Sequence, residues 1–213
     1  MDIAIVLYEG VTALDAVGPY EVLSRLGRDL AFVGHARGSV RTGTGRLGLI
    51  VDTTFEEVAA PEVVVVPGGP GQVAMMDDDR LLSWLRQVHQ TTQWTTAVCT
   101  GALILGAAGL LAGKKATTHW LAMDQLAEHG AQATRQRVVV DGRIVTAAGV
   151  SSGIDMALRL AALMVGDEGA QAVQLGIEYA PDPPFTAGSP DTAPPQIVEA
   201  LRSQSRFILA PTD

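Results

Sequence analysis

At 213 residues, 47% hydrophobic and 5% aromatic, the chain is long enough to bury one aliphatic core, and a single domain over residues 1–213 is expected. A formal net charge of −8 argues against nucleic acid or an anionic membrane as main partner, because both reward clustered Lys and Arg. One cysteine permits no internal disulfide, no basic leader precedes the first apolar run, and the longest apolar stretch, Ala102–Ala112, is too short to span a bilayer, so a cytoplasmic protein without a transmembrane helix is expected.

Short apolar runs alternate with longer amphipathic ones from the start of the chain. Ile3–Leu7 opens as a strand, and Ala31–Ala36, Val63–Val66 and Thr95–Val98 continue the set, each apolar throughout as a strand covered on both faces would be. After the first strand, Thr12 and Asp15 have capping-box spacing, while Pro19 is suited to the first position of a helix with Glu21 near its positive end. Gly43-Thr44-Gly45-Arg46-Leu47-Gly48 matches the dinucleotide pattern G-x-G-x-x-G, but its flanks are β-like on both sides. A hairpin turn is therefore expected and a nucleotide site is not. Helices are expected over Asp79–Gln90, Thr100–Leu111 and Leu121–His129. Arg137–Val140 and Arg143–Ala147, joined by Asp141-Gly142, read as a hairpin near a sheet edge. Further helices are expected over Gly153–Val165, opened by a Ser152/Asp155 capping box, over Ala170–Tyr179 and over Gln196–Phe207, with Pro181–Pro195 an ordered arm. The fold class is α/β: a mostly parallel sheet sandwiched by helices.

Three segments fall at the carboxyl edge of that sheet, where open α/β folds place ligands. Cys99 stands where Thr95–Val98 turns into a small-residue helix start, the sharp strand-to-helix turn of a nucleophile elbow, which would expose a thiol beside helical N–H groups. An inert core cysteine is the alternative. Pro67-Gly68-Gly69-Pro70-Gly71 follows the strand Val63–Val66 and is either a plain turn or a set of amides aimed at developing negative charge. Asp15 is either a helix cap or an acid facing Cys99.

These elements resemble the ThiJ/PfpI superfamily: Leu14-Asp15-Ala16-Val17-Gly18-Pro19, Val66–Gly71 and Ala97-Val98-Cys99-Thr100-Gly101 carry the likeness, and it extends over nearly the whole chain. Ala116–Trp120, Gly149–Asp155 and Tyr179–Phe185 are similar to the isonitrile hydratase branch and to the sensor-like half of certain AraC-type regulators. The end at Asp213 leaves no room for a helix-turn-helix domain, so a stand-alone hydratase is expected. The resemblance implies a flavodoxin-like, class I glutamine amidotransferase-like fold and a homodimer. It implies Cys99 as nucleophile, Asp15 as general acid and base, Thr100 beside the nucleophile, and Gly68, Gly69 and His119 at the substrate. Peptidase-like relatives carry histidine directly after the cysteine, where this chain has Thr100, and no His-x-Glu follows Cys99. His119 either lines the pocket or bonds backbone beside Trp120; His35, His89 and His129 are read as structural or solvated, and Glu21 as capping. An isonitrile becomes a formamide by gaining a proton and a nucleophile at one carbon, which calls for no metal or organic cofactor, and the four histidines and one cysteine show no metal-ligand spacing. Alternatives are a glyoxalase-like activity on reactive carbonyls and a non-enzymatic ligand sensor.

Overall fold

The computed structural model describes residues 1–205. In chain order its elements are β1 (Ile3–Val6), α1 (Ala13–Leu23), β2 (Leu30–Gly34), β3 (Gly38–Arg41), β4 (Gly48–Val51), β5 (Thr53–Thr54), β6 (Val63–Val66), α2 (Gln72–Met76), α3 (Asp79–His89), β7 (Trp94–Val98) and α4 (Gly101–Ala107). There follow β8 (Lys115–Ala116), α5 (Met123–Glu128), β9 (Gln132–Ala133), β10 (Val138–Asp141), β11 (Ile144–Ala147), α6 (Ser152–Gly176) and α7 (Pro195–Ser203).

The main sheet runs β10-β11-β7-β6-β1-β2-β5, parallel throughout except for the β10–β11 hairpin at its edge. Its centre is β-branched: all four residues of β6 are valine and fully buried, between β1 and β7. Such side chains are stiff at χ1 but lose less on entering a pleated strand than a helix and pack well there, and burial on both faces is why the run reads as continuous apolar sequence. α1 packs along α6, while α4 packs against α2, α3 and α5, giving a helical layer on each face of the sheet. α3 shows how the outer layer is fixed. Asp78 caps it by accepting from the Leu81 N–H at 2.8 Å, and Leu81, Trp84, Leu85 and Val88 recur at helical spacing on its buried face. Each such side chain removed from water contributes about 1.5–3 kcal/mol.

The glycine-rich G-x-G-x-x-G segment is the turn between antiparallel β3 and β4, as its flanks required. Its tip folds back on the loop after β1, with the Gly43 N–H donating to Val11 O at 2.9 Å. The run expected as two helices over 153–179 is assigned as one element, broken at Gly166, whose φ of 82° and ψ of 165° are non-helical. The last helix starts one residue earlier than expected, at Pro195, and its expected end at Phe207 lies outside the described residues.

Three local expectations are corrected. α1 begins at Ala13, so Pro19 lies inside the helix rather than at its start, where its missing N–H leaves the Asp15 carbonyl without its usual partner four residues on. Glu21 is consequently in the exposed last turn of the helix, paired with Arg25 at 2.6 Å, far from the positive end it was expected to cap. Neither proposed capping box forms. Thr12 makes no side-chain cap bond, and α6 starts after Ser151 with Asp155 turned to Arg137 Nε at 2.7 Å. In both cases the carboxylate found a more distant partner that the local spacing did not reveal.

Candidate active site

Parallel pairing of β1, β6 and β7 brings the loops that follow them to one edge. Cys99 sits directly between β7 and α4 with φ of 58°, a left-handed conformation that costs a non-glycine residue about 1–2 kcal/mol. The surroundings hold it there. Its N–H donates to the carbonyls of Ala147 and Ala148 at 3.1 and 2.9 Å, and its carbonyl accepts from the buried Thr118 hydroxyl at 2.8 Å.

The neighbouring backbones approach too closely for any side chain. A Cβ on Gly101 would lie 2.0 Å from the Val66 carbonyl oxygen, and one on Gly68 would lie 2.5 Å from the Thr100 nitrogen. This closeness couples the two loops. The Gly69 N–H donates to Thr100 Oγ1 at 3.0 Å, and the Gly68 N–H donates to Asp15 Oδ2 at 3.0 Å. The two glycine amides expected at the substrate therefore hold protein groups instead, one the acid and the other the residue after the cysteine.

Asp15 is fully buried, and among the described residues its Oδ1 has no hydrogen-bond partner. Burial raises its pKa from 3.8 to about 7, against the opposing pull of the Gly68 N–H and of the neighbouring Cys99 thiol. The thiol is also buried, 2% exposed, rather than presented to solvent as the turn alone suggested. Burial first, and then the Asp15 charge, push its pKa up. The backbone N–H groups of Thr100 and Val150 pull the other way by favouring the thiolate. Cys99, Asp15, Thr100, Gly68 and Gly69 are thus brought together.

His119 stands one step back. Its Nδ1 accepts from the Leu121 N–H at 3.3 Å, and a Cβ on Gly149 would lie 2.8 Å from its ring, so it packs against the residue preceding Val150. Burial lowers its pKa, favouring neutral imidazole. His35 pairs with Asp78 and His89 with Thr95, each at 2.8 Å, and neither joins the site.

Sequence reasoning missed three contributors. Val150 supplies an amide to the thiol, Thr118 holds the Cys99 carbonyl, and Tyr8, buried, donates through its hydroxyl to the Pro67 carbonyl at 2.8 Å. Val150 acts through its main chain, so side-chain chemistry gave no signal; Tyr8, in an otherwise aliphatic strand end, is a phenol needing a buried partner and was open to notice. Two surface cavities, of about 530 and 420 Å³, are lined by none of these residues.

The model of the DJ-1/PfpI family matches residues 1–163. Isonitrile hydratase of Pseudomonas putida is 45% identical over 206 residues, 96% of this chain and 90% of that protein. The crystal structure of a ThiJ/PfpI family protein from Pseudomonas syringae superposes with a TM-score of 0.92 at 38% identity, covering 95% of this chain and 84% of that one. A glutathione-independent glyoxalase of Caenorhabditis elegans is 23% identical over 162 residues, 75% of this chain and 86% of that protein.

Proposed function

The chain belongs to the DJ-1/PfpI family, and on that premise we propose that it is an isonitrile hydratase, adding water to an isonitrile to give an N-substituted formamide. The observation that carries the reading is the buried carboxyl–thiol pair of Asp15 and Cys99, brought to one sheet edge by β1 and β7, each driven toward its protonated form by burial and each acting on the other's charge. Such a pair readily moves one proton between its members, which is what a carbon that must gain a proton and a nucleophile requires.

Asp15, as carboxylate, first takes the Cys99 thiol proton; the thiolate so formed, supported by the Thr100 and Val150 amides, attacks the terminal carbon while Asp15 delivers that proton to the same carbon. The product is a covalent thioimidate with Asp15 left as carboxylate. Asp15 then takes a proton from water as the hydroxide adds to the thioimidate carbon, and passes that proton to the nitrogen. Collapse of the tetrahedral adduct breaks the carbon–sulfur bond. The hydroxyl proton passes by way of Asp15 to the departing sulfur, formamide leaves, and the starting thiol and carboxylate are restored. Thr100 fixes the Gly68–Gly69 loop through its hydroxyl, and His119 borders the site as a neutral ring.

We further propose a homodimer in the cytoplasm. A lone cysteine suits a reducing compartment. Ile197 and Leu201, one helical turn apart on α7, together with Phe185 in the preceding arm, are exposed apolar groups that a second copy would cover.

The test is incubation with cyclohexyl isocyanide and, separately, with methylglyoxal, following formamide and lactate by chromatography. Formamide should form with the wild type and not with Cys99→Ala. No formamide at high protein concentration would reject the proposal, and lactate alone would favour the glyoxalase reading.

A further inference from the structure

The peptide joining Pro67 to Gly68 is gripped at both ends. Its carbonyl accepts from Tyr8 Oη at 2.8 Å, and its N–H donates to Asp15 Oδ2 at 3.0 Å. A planar trans peptide points these two groups in opposite directions, so Tyr8 and Asp15 hold one rigid plane from opposite sides. Tyr8 is 2% exposed and Asp15 fully buried, so water does not compete for either bond. The far side of Gly68 is pinned as well, because its carbonyl accepts from the Thr12 N–H at 2.8 Å. A hydroxyl donating to a peptide carbonyl polarises that peptide and strengthens its N–H as a donor.

We infer that Tyr8 is a positioning residue for this reaction: through the Pro67–Gly68 peptide it aligns and strengthens the one backbone donor that stabilises the Asp15 carboxylate. It touches neither substrate nor thiol in this role. The inference rests on the acid–base role proposed for Asp15. Tyr8 lies in the field of the same pair, since after burial the charges of Asp15 and Cys99 are what raise its own pKa. Tyr8 and Cys99 are the titratable groups facing Asp15. From α6, packed along α1, Asp155 turns instead to Arg137 and Tyr179, and Arg159 is exposed.

The experiment compares wild type, Tyr8→Phe and Asp15→Asn. Infrared titration follows the protonated-carboxyl band that vanishes in Asp15→Asn, and kcat and KM for cyclohexyl isocyanide are measured over the same pH range. Loss of the hydroxyl weakens the Gly68 donor and disfavours the carboxylate. The Asp15 midpoint should therefore move alkaline by about 0.5 pH unit, together with the pH limb of kcat, while kcat at its optimum falls about threefold and KM holds. Should Tyr8→Phe fold poorly, 3-fluorotyrosine placed at position 8 supplies a stronger donor and should move the midpoint the other way. A midpoint unmoved in both variants, with only thermal stability reduced, would overturn the inference. A kcat limb that persists in Asp15→Asn overturns the acid–base reading itself, whereas the infrared shift alone still supports the clamp.

Discussion

Asp15 is held in a place that favours its neutral form, so replacing it should separate stability from activity. Its pKa rises from 3.8 to about 7 because burial outweighs the Gly68 N–H and the thiol. At 1.36 kcal/mol per pH unit, this rise corresponds to about 4 kcal/mol. The sign follows from the direction. The folded protein binds this proton more tightly than the unfolded chain, so the contribution is fully present below pH 3.8 and is lost as pH climbs through about 7. Asp15→Asn keeps an oxygen for the Gly68 N–H and removes the charge. It should equal the wild type within about 1 kcal/mol at pH 4 and exceed it by up to about 4 kcal/mol at pH 8, while losing about 10²–10⁴-fold in turnover. Urea denaturation of both proteins from pH 4 to 9, beside formamide assays, checks this. A stability difference that stays flat across that range, or a variant less stable than wild type at pH 8, would refute the assignment of a buried, proton-retaining carboxyl.

Gly101→Ala places a methyl 2.0 Å from the Val66 carbonyl oxygen, where backbone must move, and should cost at least about 2 kcal/mol in urea denaturation and remove turnover. Thr118→Val deletes the hydroxyl that donates to the Cys99 carbonyl. A loss of about 1–3 kcal/mol is expected with a lower kcat, and an unchanged melting curve would show that the left-handed turn does not depend on it. The double substitution Ile197→Asp with Leu201→Asp should convert the expected dimer to a monomer in sedimentation velocity, and a wild type that sediments as monomer removes the premise.

The sheet was legible because its strands announce themselves: Val63–Val66 can hardly be anything but a strand buried on both faces, and the hairpin expected at Asp141-Gly142 forms with its turn one residue on, at Gly142-Arg143, since Asp141 pairs with Ile144 and Gly142 takes φ of 62°. The residues of the site were legible for a related reason. Parallel strands deliver the loops after β1, β6 and β7 to one edge, so Asp15, Gly68 and Cys99 could be placed together before any distance was known. What local spacing could not supply was the choice each polar group makes among partners distant in sequence. Thr12 and Asp15 offered a cap, yet the carboxylate reaches Gly68, 53 residues away. Gly68 and Gly69 offered open amides, and both are used by the protein itself.

That internal use of the loop amides changes how the site's electrostatics work. The glycine loop stabilises the Asp15 carboxyl and the turn, and the donors left for negative charge on sulfur are the amides of Thr100 and Val150, one from the start of α4 and one from the loop after β11. Placing Thr100 there requires the left-handed turn at Cys99, and placing Val150 there requires β11 to end level with β7, which the pairing of Ala147 with Val98 secures. Main-chain strain at the cysteine and a carboxyl kept from water are both unfavourable taken alone. They persist because the fully buried valines of β6 and the close backbone contacts at Gly68 and Gly101 leave the loops no relaxed alternative. The folding free energy of the aliphatic core thereby holds a proton and a sulfur in an arrangement that water would otherwise dissolve.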